Sequence, residues 1–135
     1  DNLMPYTLTG HTHEREVSRH IGHDIHFTPH VAEFFRGISL TVSMDFAAEQ
    51  TTEDLQARIQ EAYGDEPLIR LTDDIPEVKD NAGEHHVCIG GLEVADDGRH
   101  AVVVATLDNL LKGAATQAMQ NLNLMCGYDE LCGIQ

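Results

Sequence analysis

Histidine offers the most chemistry in this sequence: there are nine. Five of them fall within "HTHEREVSRHIGHDIH", and His30 follows shortly after. His11 and His13 are two apart, so on an extended segment both rings point to one side. That spacing can chelate a metal ion, with His20, His23 or the pair His85-His86 as further ligands. Zinc sites usually show tighter and more complete spacing, and no cysteine stands nearby. Solvated or hydrogen-bonded histidines are the plainer reading, and no metal site is assigned. Alternatively, one histidine works as a general acid or base, since its ordinary titration range lies closest to neutral pH. Such a histidine needs a nucleophile. The three cysteines, Cys88, Cys126 and Cys132, are an odd number without a C-x-x-C pair. Cys88 sits in the apolar run "HVCIGGLEV" and reads as a buried small hydrophobe. None has a cation beside it in sequence that would mark a thiolate. The nucleophile is therefore expected outside this chain. Cysteine usage fits a reducing cytoplasm rather than a disulfide framework.

The elements that must position these groups are legible from periodicity. "HEREVSRHIG" places Val17 and Ile21 four apart with Gly22 as a stop, predicting a short helix. "DIHFTPH" predicts a short strand ending at Pro29. "RGISLTVSMDF" alternates, with Ile38, Leu40, Val42, Met44 and Phe46 on one face, and predicts a long half-buried strand. "TTEDLQARIQEAYG" predicts a helix capped by Thr51 or Thr52, with Leu55, Ile59 and Ala62 as its apolar stripe and Gly64 as its end. "PLIRL" reads as a strand, followed by a long connection with a short strand expected near Val78. "VCIGGLEV" and "HAVVVATL" are two strands joined through Asp97-Gly98, a strong hairpin signal. A last helix starts near Asp108 and stops around Gly127. These elements predict an α+β domain with a mixed, mostly antiparallel sheet and helices packed on one face.

At 135 residues the chain is about one domain, residues 1–135, and no linker or repeat divides it. Its opening, "DNLMPYTLTG", reads as an extended segment entered partway, so the chain is expected to be a piece of something longer. No signal-peptide pattern opens it, and no apolar run approaches a membrane span. Acidic residues number 23 against eight Lys and Arg, for a formal net charge of −15. That charge repels nucleic acid and anionic membranes, so neither is expected as a partner. Only Lys79 and Lys112 are lysines. An acidic, lysine-poor surface is either well solvated or adapted to high salt, and a thermal melt titrated with NaCl separates the two.

The stretch "DNLLKGAATQAMQNLNLMCGY", Asp108 to Tyr128, resembles the C-terminal signature of the N-acetyl-gamma-glutamyl-phosphate reductase family, one of the amino-acid semialdehyde dehydrogenases. "PYTLTGHTHEREV", "FTPHVAEFFRGI" and "EPLIRL" resemble successive family segments in the right order, so the resemblance covers nearly the whole chain. It implies the catalytic and dimerisation half of an NADP-dependent enzyme of arginine biosynthesis. The implied fold is that of the C-terminal domain of glyceraldehyde-phosphate dehydrogenase-like enzymes. The Rossmann domain and its cysteine would lie upstream, with only the helix of about 108–127 returning to that domain. The reaction implied is thioester chemistry: a cysteine attacks N-acetyl-glutamyl phosphate, phosphate leaves, and a hydride reduces the acyl group to the semialdehyde. A homo-oligomer, dimer or tetramer, is implied, and this chain alone is expected to be inactive.

Residue by residue, the family motif H-R-H-x-P-E-I falls on His11 to Val17. The resemblance makes His13 the acid/base, with His11 supporting it at the substrate. Arg36 of "FRGI" would meet the substrate phosphate or carboxylate, and Asn109 would lie near the nicotinamide. The chain departs from the pattern at Thr12, where the family has Arg, and at Arg15, where it has Pro, so the anion-binding duty of that Arg is left open. An ion pair with an acidic neighbour such as Glu33 is the plainer role for Arg36. Ordinary helix packing is the plainer role for Gly113, Ala114 and Ala115. Two further functions stay open: an aspartyl- or aminoadipyl-phosphate reductase half, and a non-enzymatic, His-rich metal-binding module.

Overall fold

The computed structural model describes residues 2–134. The chain divides into two compact units, residues 1–35 and 36–135.

In the first unit, β1 (Leu3–Pro5) pairs antiparallel with β2 (His30–Ala32), Pro5 facing His30 and Leu3 facing Ala32. Between them runs α1 (Thr12–Ile21). Its start follows from local chemistry. His11 takes the N-cap position, its Nδ1 accepting the backbone N–H of His13 at 3.2 Å. Glu14, three residues on, accepts the N–H of Gly10 at 2.8 Å. Together they satisfy N–H groups that a helix start leaves open. Gly22 closes the other end in the left-handed conformation, φ 70°, which glycine adopts without steric cost. The strand expected over "DIHFTPH" is displaced: residues 24–29 are irregular, and pairing begins only at His30. Pro29 has no N–H to give a ladder, so the strand starts after it.

The second unit is a four-stranded sheet in the order β3-β6-β5-β4, formed by β3 (Ile38–Asp45), β4 (Ile69–Leu71), β5 (Val87–Val94) and β6 (His100–Leu107). β3 and β6 pair antiparallel over eight residues each, from Ile38 opposite Leu107 to Asp45 opposite His100. β5 pairs antiparallel with β6 and parallel with β4. The sheet is thus mixed and mostly antiparallel, as the alternation and the Asp97-Gly98 hairpin predicted. The register passes from Gly90 opposite Val104 to Glu93 opposite Val102, three steps on β5 against two on β6. The extra residue is a bulge, and Gly91 turns it with φ 61°.

Helix α2 (Thr52–Tyr63) is capped by Thr51, whose hydroxyl accepts the N–H of Asp54 at 3.1 Å. It lies against β4 and β5, with Gln56, Ile59 and Gln60 over Leu71, Ile89 and Val103. Leu55 is buried and Ile59 half-buried, but Ala62 is exposed, so the apolar stripe is narrower than predicted. Leu55, Leu68 and Ala101 are the buried apolar residues among the described residues. The apolar row of β3 is less covered than a half-buried strand requires. β3 is an edge strand and α2 covers the same face only toward the other edge, over β5 and β4, so Ile38 and Leu40 keep 43% and 41% of their surface exposed.

Two further elements differ from expectation. Val78–Asn81 is a 3₁₀ turn rather than a strand. The last helix does not run regularly from Asp108: a π-helical turn, Leu111–Ala115, precedes α3 (Thr116–Cys126), which ends at Gly127 with φ 71°. Cys88 is half-buried rather than buried, and its burial pushes the thiol up from its ordinary value. No helix among the described residues is long and apolar enough to cross a membrane.

Candidate functional site

The register of β3 against β6 sets the geometry. Because Ile38 faces Leu107, the residues just before one strand and just after the other meet at the same end of the sheet. These are Arg36-Gly37 and Asp108-Asn109. Asp108 is fully buried, with no exposed surface. Its Oδ1 accepts the N–H groups of Leu110 at 2.8 Å and Leu111 at 3.0 Å, as a helix-capping carboxylate does. Its Oδ2 accepts the N–H of Gly83 at 2.7 Å and lies 3.2 Å from Nη1 of Arg36. Burial disfavours the charged carboxylate, but the three N–H bonds and the Arg36 guanidinium outweigh it and hold the pKa below its ordinary value. Asn109 Oδ1 accepts the N–H of Gly37 at 2.8 Å, at a backbone φ of 119° that favours glycine.

The connection before β5 is tied to the same junction. Asn81 Nδ2 donates to the buried Thr106 hydroxyl at 2.6 Å, and His85 Nδ1 lies 2.7 Å from Thr116 Oγ1. Beyond the junction, the π-turn is closed by Gly113 N–H to Asp108 O at 2.9 Å and Ala115 N–H to Leu110 O at 3.1 Å. A side chain at Gly113 would meet Leu107 at 3.2 Å and the Asp108 carbonyl at 3.4 Å. The Leu107 side chain would have to give by a few tenths of an ångström, and Gly113, Ala114 and Ala115 are all exposed. Lys112 is buried and donates to Gln117 at 2.8 Å and Gln120 at 2.6 Å. Burial lowers its pKa, opposed by Glu130 and Glu66.

In the first unit the predicted pair is also brought together. The rings of His11 and His13 lie 4.7 Å apart, edge to face. Phe27 is 5.4 Å from His11 and 6.0 Å from His13, and Tyr6 is 5.8 Å from His11. Helix α1 presents His13, while His11 caps that helix. Among the described residues, no group of three or more His, Cys, Asp or Glu is arranged to hold a metal ion.

The structure therefore joins His11 with His13 in one unit and Arg36 with Asn109 in the other. Sequence reasoning missed Asp108 as the hub between Arg36, Gly83 and the helix start. An Asp followed by an apolar helical run signals a cap, and that half of its role was available. Gly83, Thr106 and Asn81 carried no signal, because their roles exist only across the sheet.

The semialdehyde dehydrogenase dimerisation domain family model matches residues 1–109. The chain belongs to that family. Over 134 residues it is 58% identical to the N-acetyl-gamma-glutamyl-phosphate reductase of Xanthomonas oryzae pv. oryzae, covering 99% of this chain and 42% of the relative. It is 53% identical to the mitochondrial protein arg11 of Schizosaccharomyces pombe, covering 99% of this chain and 15% of that protein. The chain thus spans less than half the length of these relatives. In structure it superposes on aspartate semialdehyde dehydrogenase II of Vibrio cholerae with a TM-score of 0.74 at 21% identity, covering 93% of this chain and 41% of that one. That likeness extends to the fold of a semialdehyde dehydrogenase dimerisation domain and no further.

Proposed function

We propose that this chain is the catalytic and dimerisation half, residues 1–135, of an NADPH-dependent reductase converting N-acetyl-glutamyl phosphate to N-acetyl-glutamate semialdehyde in arginine biosynthesis. The observation that carries this reading is identity of 58% to an N-acetyl-gamma-glutamyl-phosphate reductase and 53% to arg11, each over 99% of the chain.

The chain's own residues then take these roles. His13, presented by α1 beside His11, moves the proton: it takes it from the attacking thiol or gives it to the nascent aldehyde oxygen. The thiol itself comes from the N-terminal half, and its thioester with the acyl group divides a hard displacement into two easier steps. Arg36 meets an anionic group of the substrate, phosphate or carboxylate, and a planar guanidinium suits either. Asn109, whose oxygen accepts the Gly37 N–H, would hold the nicotinamide with its amide nitrogen as donor. The nicotinamide cofactor supplies the hydride when bound. The enzyme works as a homo-oligomer in a reducing compartment, the cytoplasm in a bacterial cell.

Assay of the full-length protein tests this reading. Phosphate-dependent reduction of NADP by N-acetyl-glutamate semialdehyde is expected, with aspartate semialdehyde at least tenfold poorer in kcat/KM. Equal use of aspartate semialdehyde would move the assignment to the aspartyl class. Absence of either activity, with tight stoichiometric zinc binding instead, would retire the enzyme reading.

A further inference from the structure

Asp108 and Asn109, consecutive residues at the end of β6, hold one dipeptide by two different handles. Asp108 grips the Arg36 side chain through Nη1 at 3.2 Å, and Asn109 grips the backbone of the next residue through the Gly37 N–H at 2.8 Å. Asp108 is itself buried and held by the N–H groups of Gly83, Leu110 and Leu111. Arg36 is not sealed in: its side chain keeps 32% of its surface exposed while one nitrogen faces the buried carboxylate. A long, rotamer-rich side chain anchored at one nitrogen and at the following peptide loses most of its freedom before any ligand arrives.

We infer that Asp108 is a positioning residue that, with Asn109, fixes the Arg36 guanidinium for an anionic group of the acyl-phosphate substrate. The inference rests on the assignment of Arg36 made under the proposed function. Asp108 touches no substrate. It neutralises part of the Arg36 charge and holds one guanidinium nitrogen, so that substrate meets a donor already in place. The "DN" that opens the last element of the chain is, on this reading, the anchor of the "RG" that opens the first long strand.

The test is a double-mutant cycle in the full-length protein with Asp108→Asn, Arg36→Ala and both, followed by steady-state kinetics. Asp108→Asn is expected to raise KM for the acyl phosphate and lower kcat/KM by roughly 10–10²-fold, the scale of a misplaced binding group. KM for NADPH should not move. In the Arg36→Ala background the same substitution should add less than about threefold, because Asp108 acts through Arg36. A merely structural role would lower kcat through loss of active protein and leave KM alone. That result, or effects that multiply independently, overturns the inference while leaving the reductase reading intact. An Arg36→Ala enzyme with unchanged KM overturns the assignment of Arg36 and the inference together. Where Asp108→Asn does not fold, Asp108→Glu, which keeps the charge and displaces the carboxylate by one methylene, takes its place in the cycle with the same expected and overturning outcomes.

Discussion

His11 Nδ1 accepts the backbone N–H of His13 at 3.2 Å, so the first histidine of the pair closes the helix that presents the second. The two rings therefore have separable duties. An unprotonated Nδ1 is a capping acceptor, and asparagine is among the best residues at that position. His11→Asn should keep α1 intact, whereas His11→Ala should cost about 0.5–2 kcal/mol of stability. In the full-length protein, His13→Asn should lower turnover about 10²–10⁴-fold with little change in KM, the signature of a lost proton-transfer group. His11→Asn should cost less. If the pair bound a metal instead, both substitutions would hurt alike and a chelator would reproduce them.

Asp108 predicts a stability effect independent of kinetics. Its carboxylate is buried against Arg36 and three backbone N–H groups. Asp108→Ala leaves the N–H groups of Gly83, Leu110 and Leu111 without their acceptor and should destabilise by about 1–3 kcal/mol in a urea titration. The pKa of Asp108 is held below its ordinary 3.8. A lowered carboxylate contributes stability that is fully present above 3.8 and is lost as pH falls through the folded-state value. The wild-type protein should therefore lose stability more steeply than Asp108→Asn in that acid range. Equal slopes would show that the hydrogen bonds do not favour the charged form.

His86 predicts an effect nearer neutrality. It is buried, and that burial pushes its pKa down from 6.5, with Arg70 adding to the shift and Glu84, 3.6 Å away, opposing it. A histidine with a lowered folded-state value binds fewer protons folded than unfolded. Stability is therefore complete above 6.5 and declines as pH drops toward the folded value. Thermal melts between about pH 7.5 and pH 5.5 should show a smaller decline for His86→Gln than for wild type, since the other histidines are common to both. An unchanged difference between the two proteins across that range would count against a buried neutral ring.

The boundary between what the sequence disclosed and what it concealed is physical. β3, β5, β6 and α2 announce themselves because alternation, an Asp-Gly turn and a threonine cap act within a few residues. The 3₁₀ turn at Val78–Asn81 and the π-turn at Leu111–Ala115 do not, because distant bonds shape them. Asn81 reaches Thr106 across the sheet, and Asp108 is pulled toward Gly83 and Arg36 as well as toward its own helix. The pairing of Arg36 with Asp108 needs the β3–β6 register, which alternation alone leaves open by any even number of residues. His11 and His13 were legible as a pair, but the capping role of His11 required knowing where the helix begins.

The final prediction concerns association through the sheet. Val103 faces α2, so its neighbours Val102 and Val104 lie on the opposite face. There they sit across from Ser43 and Thr41 of β3 and beside Glu93 and Gly90 of β5. The 3₁₀ turn meets this face at Thr106, through Asn81. Small residues around two valines make a flat surface, and flat sheets pack face to face at about 10 Å. Such a face in a dimerisation-domain family is an interface candidate, as exposed apolar surface usually is. Sedimentation equilibrium of the full-length protein should show a dimer or tetramer, and Val104→Glu should shift it toward monomer with an unchanged far-ultraviolet circular dichroism spectrum. The charge must then be placed in water, which the open face permits in a monomer and an interface forbids. Wild type that remains strictly monomeric at high concentration, or Val104→Glu that associates as strongly as wild type, would place the interface elsewhere on the chain.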